Sequence, residues 1–321
     1  MLSFAVMAGL FAGCGNAPAT PGGPARVRVV LDWTPNTNHT GMFVALEKGW
    51  YAELGLDVEL VQPPEMGALA LVGAGNAEVA VNFQEEMGPA LAAANPIPVT
   101  AIAAIIQHNT SGIMSLQHTD IRSPRDLQGR VFASWGTDLV DEVMRHIVEA
   151  DGGNFDEVNV VIDWVTDPIS ALQTRIDAIW VYYGWSVVAA QLQGIEVDFI
   201  DLGRFDPVLD FYSPLLVASN AWIDAHPDQV RAFLEATERG YRFAIQYPEQ
   251  AAQILLAHAP ELSEELVMAS QRFLAEHYIA GAARWGEFDP VRWGRFYDWM
   301  YQRGLLGRAL GAQGFTNEFL P

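Results

Sequence analysis

Residues 31–41 read LDWTPNTNHTG and join a strand-like run, Val27–Leu31, to a helix-like run, Met42–Tyr51. A short strand-to-helix loop usually needs only a glycine and a helix-capping residue. This loop is instead dense in asparagine and threonine and also carries an indole and an imidazole. Since the loop after a parallel strand faces the ligand crevice of an open α/β sheet, the stretch predicts an α/β fold with a binding loop at this point.

Three side chains of this loop are candidates for ligand contact: Trp33, Asn38 and His39. Trp33 can stack on a planar ring, and the amide and imidazole groups can donate and accept hydrogen bonds. A purely structural alternative stays open, in which His39 or Thr40 caps the following helix and Trp33 belongs to the core.

The composition limits the classes of ligand and partner. The chain has 321 residues, 50% of them hydrophobic, which suffices for one large or two medium domains. Its formal net charge is −21, and such a field repels nucleic acids and anionic membrane surfaces. The seven histidines lack metal-ligand spacing and there is one cysteine, so no metal site is expected. A neutral or cationic small molecule is the expected ligand.

The first residues are typical of a targeting segment. Residues 2–11 form an apolar run that is too short to span a bilayer, and Ala12-Gly13-Cys14 follows it. Small residues before a lone cysteine resemble the lipobox of bacterial lipoproteins. We therefore expect a lipoprotein signal peptide at 1–14, a lipidated Cys14 on the extracytoplasmic face of the cell membrane, and a flexible tether at 15–25.

From Arg26 onward, short β-rich runs alternate with longer amphipathic ones, which favours an α/β fold with mainly parallel sheets and flanking helices. After Ala218 the pattern is helical to the end. The predicted strands are Val27–Leu31, Val58–Val61, Val79–Asn82, Pro98–Ile106, Val131–Ser134, Val158–Asp163, Ala178–Tyr182, Val197–Asp201 and Pro214–Ala218. The predicted late helices are Gln229–Ile245, Pro248–Leu256, Ser263–Phe273 and Asp289–Tyr301.

Two polar segments, 107–112 and 203–213, interrupt this pattern and are interpreted as crossings between lobes. They divide the chain into a first lobe at 26–107 plus 210–321 and a second lobe at 108–209. A discontinuous lobe with two crossings predicts a hinged clamshell that holds its ligand between the lobes.

Several motifs, in order along nearly the whole chain, carry a resemblance to a known family. They are Leu31-Asp32-Trp33, Glu47-Lys48-Gly49-Trp50-Tyr51, Gly55-Leu56-Asp57-Val58-Glu59, Asn82-Phe83-Gln84-Glu85-Glu86, Gln107-His108-Asn109-Thr110-Ser111-Gly112, Trp180-Val181-Tyr182-Tyr183-Gly184-Trp185, Trp299-Met300-Tyr301 and Phe315-Thr316-Asn317-Glu318-Phe319-Leu320. The chain resembles solute-binding proteins of ABC importers for thiamine pyrimidine precursors and for riboflavin. Thiamine pyrimidine synthases belong to the same superfamily.

The resemblance implies a two-lobe, type II binding-protein clamshell that captures a planar vitamin or vitamin precursor without a cofactor. It also implies delivery to the transmembrane subunit of an ABC permease, contact with the membrane only through the lipid anchor, and a monomeric protein. Riboflavin and a thiamine pyrimidine, formylaminopyrimidine or hydroxymethylpyrimidine, remain open as ligands. The aromatic surface of the candidate loops favours riboflavin slightly.

An enzyme of the synthase type is the remote alternative. By the motif, the position of the family enzyme's lysine falls at Phe83 and that of its histidine at Met87. Phenylalanine cannot form a Schiff base and methionine cannot act as a general base. Lys48 is the only lysine, and the enzyme's cysteine cluster is missing. We therefore expect no enzymatic activity.

The remaining candidate residues follow predicted strands, where their side chains can reach the crevice. Asn82, Phe83, Gln84 and Glu85 come at the end of one strand, with a carboxylate and amides that can bind an amine or a ring N–H. Glutamates that begin a helix are the structural alternative for this segment. In the second lobe the candidates are Trp135, Tyr182, Tyr183 and Trp185, whereas Trp180 is expected in the core.

Overall fold

The computed structural model describes residues 23–63 and 67–321. The predicted signal peptide at 1–14, with Cys14, lies outside the described residues, as do residues 15–22 of the predicted tether. Within the described ranges no helix is both long enough and apolar enough to cross a membrane.

The strands, in chain order, form two separate sheets. They are β1 (Ala25–Val30), β2 (Leu56–Val61), β3 (Val79–Asn82), β4 (Val99–Ala104), β5 (Ser111–Leu116), β6 (Val131–Ser134), β7 (Asn159–Ile162), β8 (Ala178–Tyr182), β9 (Val197–Asp201) and β10 (Leu215–Ser219). The first sheet has the order β2-β1-β3-β10-β4 and the second β7-β6-β8-β5-β9. We call the sheets and the helices that cover them the first and second lobes.

Helices cover the sheets in both lobes, and most of the late ones belong to the first lobe. They are α1 (Thr40–Glu47), α2 (Trp50–Glu53), α3 (Ala68–Gly73), α4 (Gln84–Ala92), α5 (Asp138–Ala150), α6 (Pro168–Thr174), α7 (Val188–Leu192), α8 (Leu202–Phe205), α9 (Asn220–Ala225), α10 (Pro227–Gln246), α11 (Pro248–His258), α12 (Glu264–Ala275) and α13 (Pro290–Gln302). A π-helical turn, Tyr183–Val187, follows β8.

Each sheet is mixed, whereas the sequence favoured mainly parallel pairing. β1 pairs in parallel with β2 and β3, and β6 pairs in parallel with β7 and β8. The exceptions are β10, antiparallel to β3 and β4, and β5, antiparallel to β8 and β9. Both strands come directly after a crossing, so the chain enters each sheet from the opposite end.

β5 is the one described strand that the sequence did not predict. Residues Ser111 and Gly112 were interpreted as the end of a crossing, but they begin a strand that is buried along its whole length. A Cβ at Gly112 would collide with the Ile200 carbonyl oxygen and the Phe199 ring, so glycine is required where β5 meets β9. In the sequence, the same glycine at the end of a polar segment favours a loop, and for this reason the strand was not predicted.

The start of α1 packs closely against α10 through glycines on both helices. A Cβ at Gly240 would collide with the Gly41 carbonyl oxygen, and one at Gly41 would collide with the Tyr241 ring. Because glycine has no side chain, the two helix backbones can touch here. This contact fixes the helix that follows the 31–41 loop, and it thereby positions the loop at the end of β1.

Candidate ligand-binding site

The loop after β1 is held by a capping box in which His39 is the central side chain. The Nδ1 atom of His39 accepts a hydrogen bond from the Asn36 backbone N–H at 3.2 Å. Its Nε2 atom therefore carries the proton, which it donates to Asp32 Oδ1 at 2.5 Å. Both nitrogens are thus engaged inside the protein, and the fully buried ring fixes the carboxylate of Asp32.

The structure places the other two candidates of this loop differently. Trp33 is 53% exposed, so it is not a core residue. Asn38 is half-buried, and its backbone carbonyl oxygen accepts a hydrogen bond from the Tyr241 hydroxyl at 2.6 Å. Trp33 therefore keeps a free ring face, whereas the main chain of Asn38 fastens the loop to α10.

The segment after β3 contains one residue with a purely structural role. The Gln84 side chain is fully buried, donates to the Trp293 carbonyl oxygen at 3.0 Å and accepts from the Tyr212 N–H at 3.0 Å. Both ends of its amide are used by the backbone of the first lobe. Gln84 thus connects α4 to α13 and to the second crossing.

The neighbours of Gln84 point to a shared polar region. Asn82 donates from Nδ2 to Glu86 Oε2 at 2.9 Å, a contact of residues four apart across the start of α4. Two buried side-chain oxygens in this segment, Asn82 Oδ1 and Glu85 Oε2, have no hydrogen-bond partner. Buried polar atoms are almost always paired, so these two acceptors are open positions for a bound molecule.

Phe83 and Tyr182 bring the two lobes together at this region. Their rings are nearly parallel, with 21° between their planes and 6.5 Å between their centroids. This distance lies near the upper end of the ~4.5–7 Å range of interacting aromatic pairs. A small opening movement of the lobes would therefore leave a slot with one aromatic wall from each lobe.

The hydroxyl of Ser213 links this pair to the acidic segment. Ser213 lies 3.2 Å from the Tyr182 hydroxyl and donates to Glu85 Oε1 at 3.5 Å. Since Ser213 gives its proton to Glu85, the Tyr182 hydroxyl donates to Ser213 in the same chain of bonds. One hydrogen-bonded path thus runs from the second lobe to the carboxyl of Glu85.

Three acidic side chains dominate the electrostatics of the site. Burial, with a further contribution from the Glu86 charge, raises the pKa of Glu85 to about 8. Glu86 is partly exposed, but the surrounding protein still limits the solvation of its carboxylate. This desolvation, with a further contribution from the Asp32 charge, raises the pKa of Glu86. Burial and these same carboxyl groups raise the pKa of Tyr182 well above its ordinary value.

Among the described residues, no group of three or more His, Cys, Asp or Glu side chains lies close enough together to hold a metal ion. In the same part of the chain, no lysine or arginine forms an ion pair with Asp32, Glu85 or Glu86. A molecule with N–H donors or a positive charge would be bound most readily here.

The other aromatic candidates of the second lobe are largely engaged by protein. Tyr183 stacks on Phe273 at 4.8 Å and accepts from Gln191 at 3.0 Å through its hydroxyl oxygen. Trp185 is half-buried and packs on the core of the first lobe. Trp135 stacks on Trp180 at 5.9 Å and keeps part of its surface exposed.

The structure thus gathers Asn82, Phe83, Glu85 and Tyr182 into one region, whereas contacts within the protein occupy the side chains of His39, Gln84 and Tyr183. Sequence reasoning missed Asp32 and Ser213, and it preferred Gln84 and Glu85 to Glu86, leaving one glutamate of the segment to the helix start. The motif Asn82-Phe83-Gln84-Glu85-Glu86 could have revealed Glu86, since Glu86 follows the same strand end as the residues that were chosen.

Comparison with known proteins agrees with this architecture. The family model described as NMT1/THI5 like matches residues 36–251, which is more than half of the chain. A formylaminopyrimidine-binding protein of Halalkalibacterium halodurans is 27% identical over 297 residues, covering 89% of this chain and 88% of that protein. A riboflavin-binding protein, RibY, of Chloroflexus aurantiacus is 24% identical over 319 residues, covering 95% of this chain and 89% of that protein.

An enzyme also appears among the relatives. A 4-amino-5-hydroxymethyl-2-methylpyrimidine phosphate synthase of Legionella pneumophila is 23% identical over 253 residues, covering 75% of this chain and 76% of that protein. Among solved structures, the periplasmic aliphatic sulphonate-binding protein SsuA of Escherichia coli superposes with a TM-score of 0.70 at 15% identity, covering 90% of this chain and 96% of that one. This likeness confirms the predicted two-lobe, type II binding-protein fold.

Proposed function

We propose that this chain, which belongs to the NMT1/THI5-like family, is the solute-binding protein of an ABC importer and captures an aminopyrimidine precursor of thiamine. The observation that carries the proposal is the pairing of Phe83 with Tyr182 beside three acidic side chains. One ring comes from each lobe, and the acidic groups lie at the ends of the first-lobe strands.

The facing rings suit a flat aromatic ligand. Stacking adds roughly 0.5–1.5 kcal/mol per ring pair beyond the burial of apolar area. Two such contacts, one from each lobe, also make ligand binding favour the closed arrangement, because only closure brings both rings against the ligand.

The acidic side chains favour a pyrimidine over a flavin. An aminopyrimidine offers an exocyclic amine, and Asp32, Glu86 and the unpaired Asn82 Oδ1 are hydrogen-bond acceptors. In addition, Tyr183 and Trp185 are engaged with protein, which leaves less free aromatic surface than the sequence suggested. A single ring therefore suits the site better than a three-ring system.

Riboflavin remains the second candidate because two indoles are still available. Trp33 is 53% exposed and Trp135 is partly exposed, and both follow strand ends. If the ligand were a flavin, these rings could contact its further rings. The substitution Trp33→Ala therefore separates the candidates, since it should weaken riboflavin binding and leave pyrimidine binding nearly unchanged.

An enzymatic role finds no support in the residues at the site. Phe83 supplies a ring and no amine, and Met87 is completely buried. The single lysine, Lys48, lies on the ring of Phe243 with its Nζ 4.7 Å from the centroid, in the first lobe between α1 and α10. We therefore propose capture and delivery of the ligand without its conversion.

The cellular setting follows from the same proposal. A lipidated Cys14 would hold the monomeric protein at the extracytoplasmic face of the cell membrane, next to the permease that receives its ligand. Mass spectrometry of membrane-extracted protein tests this, and an intact Met1 with an unmodified thiol would contradict it.

Calorimetric titration of the purified protein tests the identity of the ligand. The compounds to compare are formylaminopyrimidine, hydroxymethylpyrimidine, riboflavin and, as a control, an alkanesulfonate. We expect the pyrimidines to bind most tightly. Binding of riboflavin alone would reverse the order of the candidates. Binding of the sulfonate alone would refute the vitamin-importer function.

A further inference from the structure

The carboxyl group of Glu85 lies in surroundings that do not suit a negative charge. Its Oε2 atom is buried without any hydrogen-bond partner, and the donors that favour its charged form are the Ser213 hydroxyl, 3.5 Å from Oε1, and the Glu85 backbone N–H. No described lysine, arginine or histidine forms an ion pair with it. A buried carboxylate normally needs a cation or several donors, and otherwise it takes up a proton.

The groups that face Glu85 from other elements add no positive charge. They are Tyr182 at the end of β8 and Tyr297 on α13. On α4 itself Glu86 adjoins Glu85, and Asp32, in the loop after β1, adds a negative charge beside Glu86 and Tyr182. Burial raises the pKa of both tyrosines, so their hydroxyls stay neutral. Burial of Glu85 itself, with a smaller contribution from the Glu86 charge, disfavours a charge on Glu85. The consequence is a pKa of about 8 for Glu85, so that this carboxyl is protonated at neutral pH.

We propose that Glu85 recognises the ligand as a neutral carboxylic acid, which donates its O–H to a ring nitrogen and accepts an N–H from the adjacent amine. This inference rests on the proposed function. A ligand that binds in this way must present a hydrogen-bond acceptor directly beside a donor, as the ring nitrogen and the amine do in a 4-aminopyrimidine. A carboxylate would offer two acceptors and would leave the ring nitrogen without a donor.

The position of Glu85 supports this two-point contact. The Ser213 hydroxyl lies 3.2 Å from the Tyr182 hydroxyl and 3.5 Å from Glu85 Oε1, so the carboxyl of Glu85 is next to the Phe83–Tyr182 pair. Ser213 already donates to Oε1, which identifies Oε1 as the carbonyl oxygen and leaves the proton to the unpartnered Oε2. The same Ser213 hydroxyl contacts Tyr182, so closure of the second lobe orients the acid.

The inference predicts a specific pH dependence of binding. Affinity for a neutral aminopyrimidine should be constant below the pKa of Glu85 and should fall as the pH rises through about 8, because deprotonation removes the donor. For one proton the limiting decrease is about tenfold for each pH unit. A ligand bound by an ionised carboxylate would instead bind more tightly as the pH rises.

The test compares Glu85→Gln with Glu85→Leu, using 4-amino-5-hydroxymethyl-2-methylpyrimidine as the probe. A glutamine amide keeps an N–H donor and a carbonyl acceptor but cannot titrate, whereas leucine keeps only the volume. We expect Glu85→Gln to bind within about threefold of the native protein at neutral pH and to lose the decrease above pH ~8. We expect Glu85→Leu to bind about 10- to 100-fold more weakly than the native protein at neutral pH, because paired polar contacts are lost, and to show no decrease of its own above pH ~8.

Calorimetry from about pH 7 to 9.5 distinguishes the outcomes, with melting curves to show that each variant is folded. Native affinity that is flat or rises with pH would overturn the inference, as would a Glu85→Gln variant as weak as Glu85→Leu. If the native protein binds no pyrimidine at any pH, the proposed function itself fails, and the inference that rests on it fails too. An infrared carboxylic-acid band in the native protein that is absent from Glu85→Gln would support the neutral acid independently of any ligand.

Discussion

Arg303 of the first lobe donates a 2.7 Å hydrogen bond to Glu142 of the second lobe. The same guanidinium donates to His146 Nδ1 at 2.9 Å, and the Nε2 atom of His146 lies 2.9 Å from Asp206. Arg303 follows α13, whereas Glu142 and His146 lie on α5. We call the contacts of Arg303 with Glu142 and His146 the clasp. The clasp joins the two lobes away from Phe83 and Tyr182, so it should affect ligand binding only by favouring closure of the lobes.

The first prediction concerns this clasp. We propose that the bodies that move are the predicted lobes, 26–107 plus 210–321 and 108–209, and that Arg303→Gln favours the open arrangement. Because the ion pair is partly exposed, its loss should weaken ligand binding by only ~0.5–1 kcal/mol. Small-angle scattering should show a larger radius of gyration for ligand-free Arg303→Gln than for the native protein.

A matched control exists in Arg231→Gln, which removes an ion pair with Glu318 at 3.1 Å inside the first lobe. This variant should leave both the affinity and the radius of gyration unchanged. Equal effects of the two substitutions would show that Arg303 acts through general stability and not through closure.

The second prediction concerns the ring slot. Tyr182→Leu removes one aromatic wall, keeps an apolar side chain and should weaken binding of the planar ligand by ~1–3 kcal/mol. Phe83→Leu should have a similar effect from the other lobe. Calorimetry gives the affinities, and circular dichroism shows whether the variants fold.

Tyr247→Leu serves as the control, since Tyr247 is 41% exposed and lies between α10 and α11, on the first lobe's helical layer. Its substitution should leave binding unchanged. If Tyr182→Leu is folded and binds as tightly as the native protein, the two rings do not form the walls of the site.

The sequence predicts the elements well where hydrophobic periodicity and turn residues act locally. The β3 limits, Val79–Asn82, and the β8 limits, Ala178–Tyr182, are as expected, and α13 differs from its prediction by one residue at each end. The direction of the strands is predicted less well, because β5 and β10 run antiparallel to their neighbours only as a result of the crossings. No local pattern encodes that reversal.

The site is predicted less completely, because the role of a polar side chain depends on partners that are distant in sequence. Gln84 has a suitable type and position for ligand contact, yet Trp293 and Tyr212 occupy both ends of its amide. Ser213 acquires its importance only by lying between Tyr182 and Glu85. These contacts join residues more than thirty positions apart, which spacing along the chain cannot reveal.

The third prediction concerns His39 as a positioning residue for Asp32. His39→Leu removes the acceptor of the Asn36 N–H and the donor to Asp32, and it leaves both partners unsatisfied in a buried loop. We expect the free energy of unfolding to fall by ~1–3 kcal/mol, measured by urea denaturation.

His39→Gln is the matched variant, since a glutamine amide supplies both an acceptor and a donor. It should recover part of the lost stability. If His39→Leu unfolds at the native urea concentration, the two hydrogen bonds of His39 contribute nothing to the fold, and the loop is held by α1 and α10 alone.

The fourth prediction concerns the effect of Glu85 on stability in the absence of ligand. Its pKa is raised to about 8 in the folded protein from an ordinary value of 4.5, so the folded state binds one more proton than the unfolded state between these pH values. The contribution of Glu85 to stability is therefore fully present below pH 4.5 and is lost progressively as the pH rises to about 8. The total change is at most about 5 kcal/mol, and solvent that reaches the half-buried side chain reduces it.

Urea denaturation of the native protein and of Glu85→Gln, carried out across this pH interval, measures the effect. The free energy of unfolding of the native protein should fall relative to that of the variant as the pH increases, and the difference should become constant above about pH 8. Glu86→Gln is a useful comparison, because Glu86 is more exposed and its substitution removes a like charge from the neighbourhood of Glu85. It should therefore shift the fall of native stability to lower pH without abolishing it. A difference between native and Glu85→Gln that does not vary with pH would mean that Glu85 has the same pKa in both states, and its carboxyl would then be ionised in the folded protein at neutral pH.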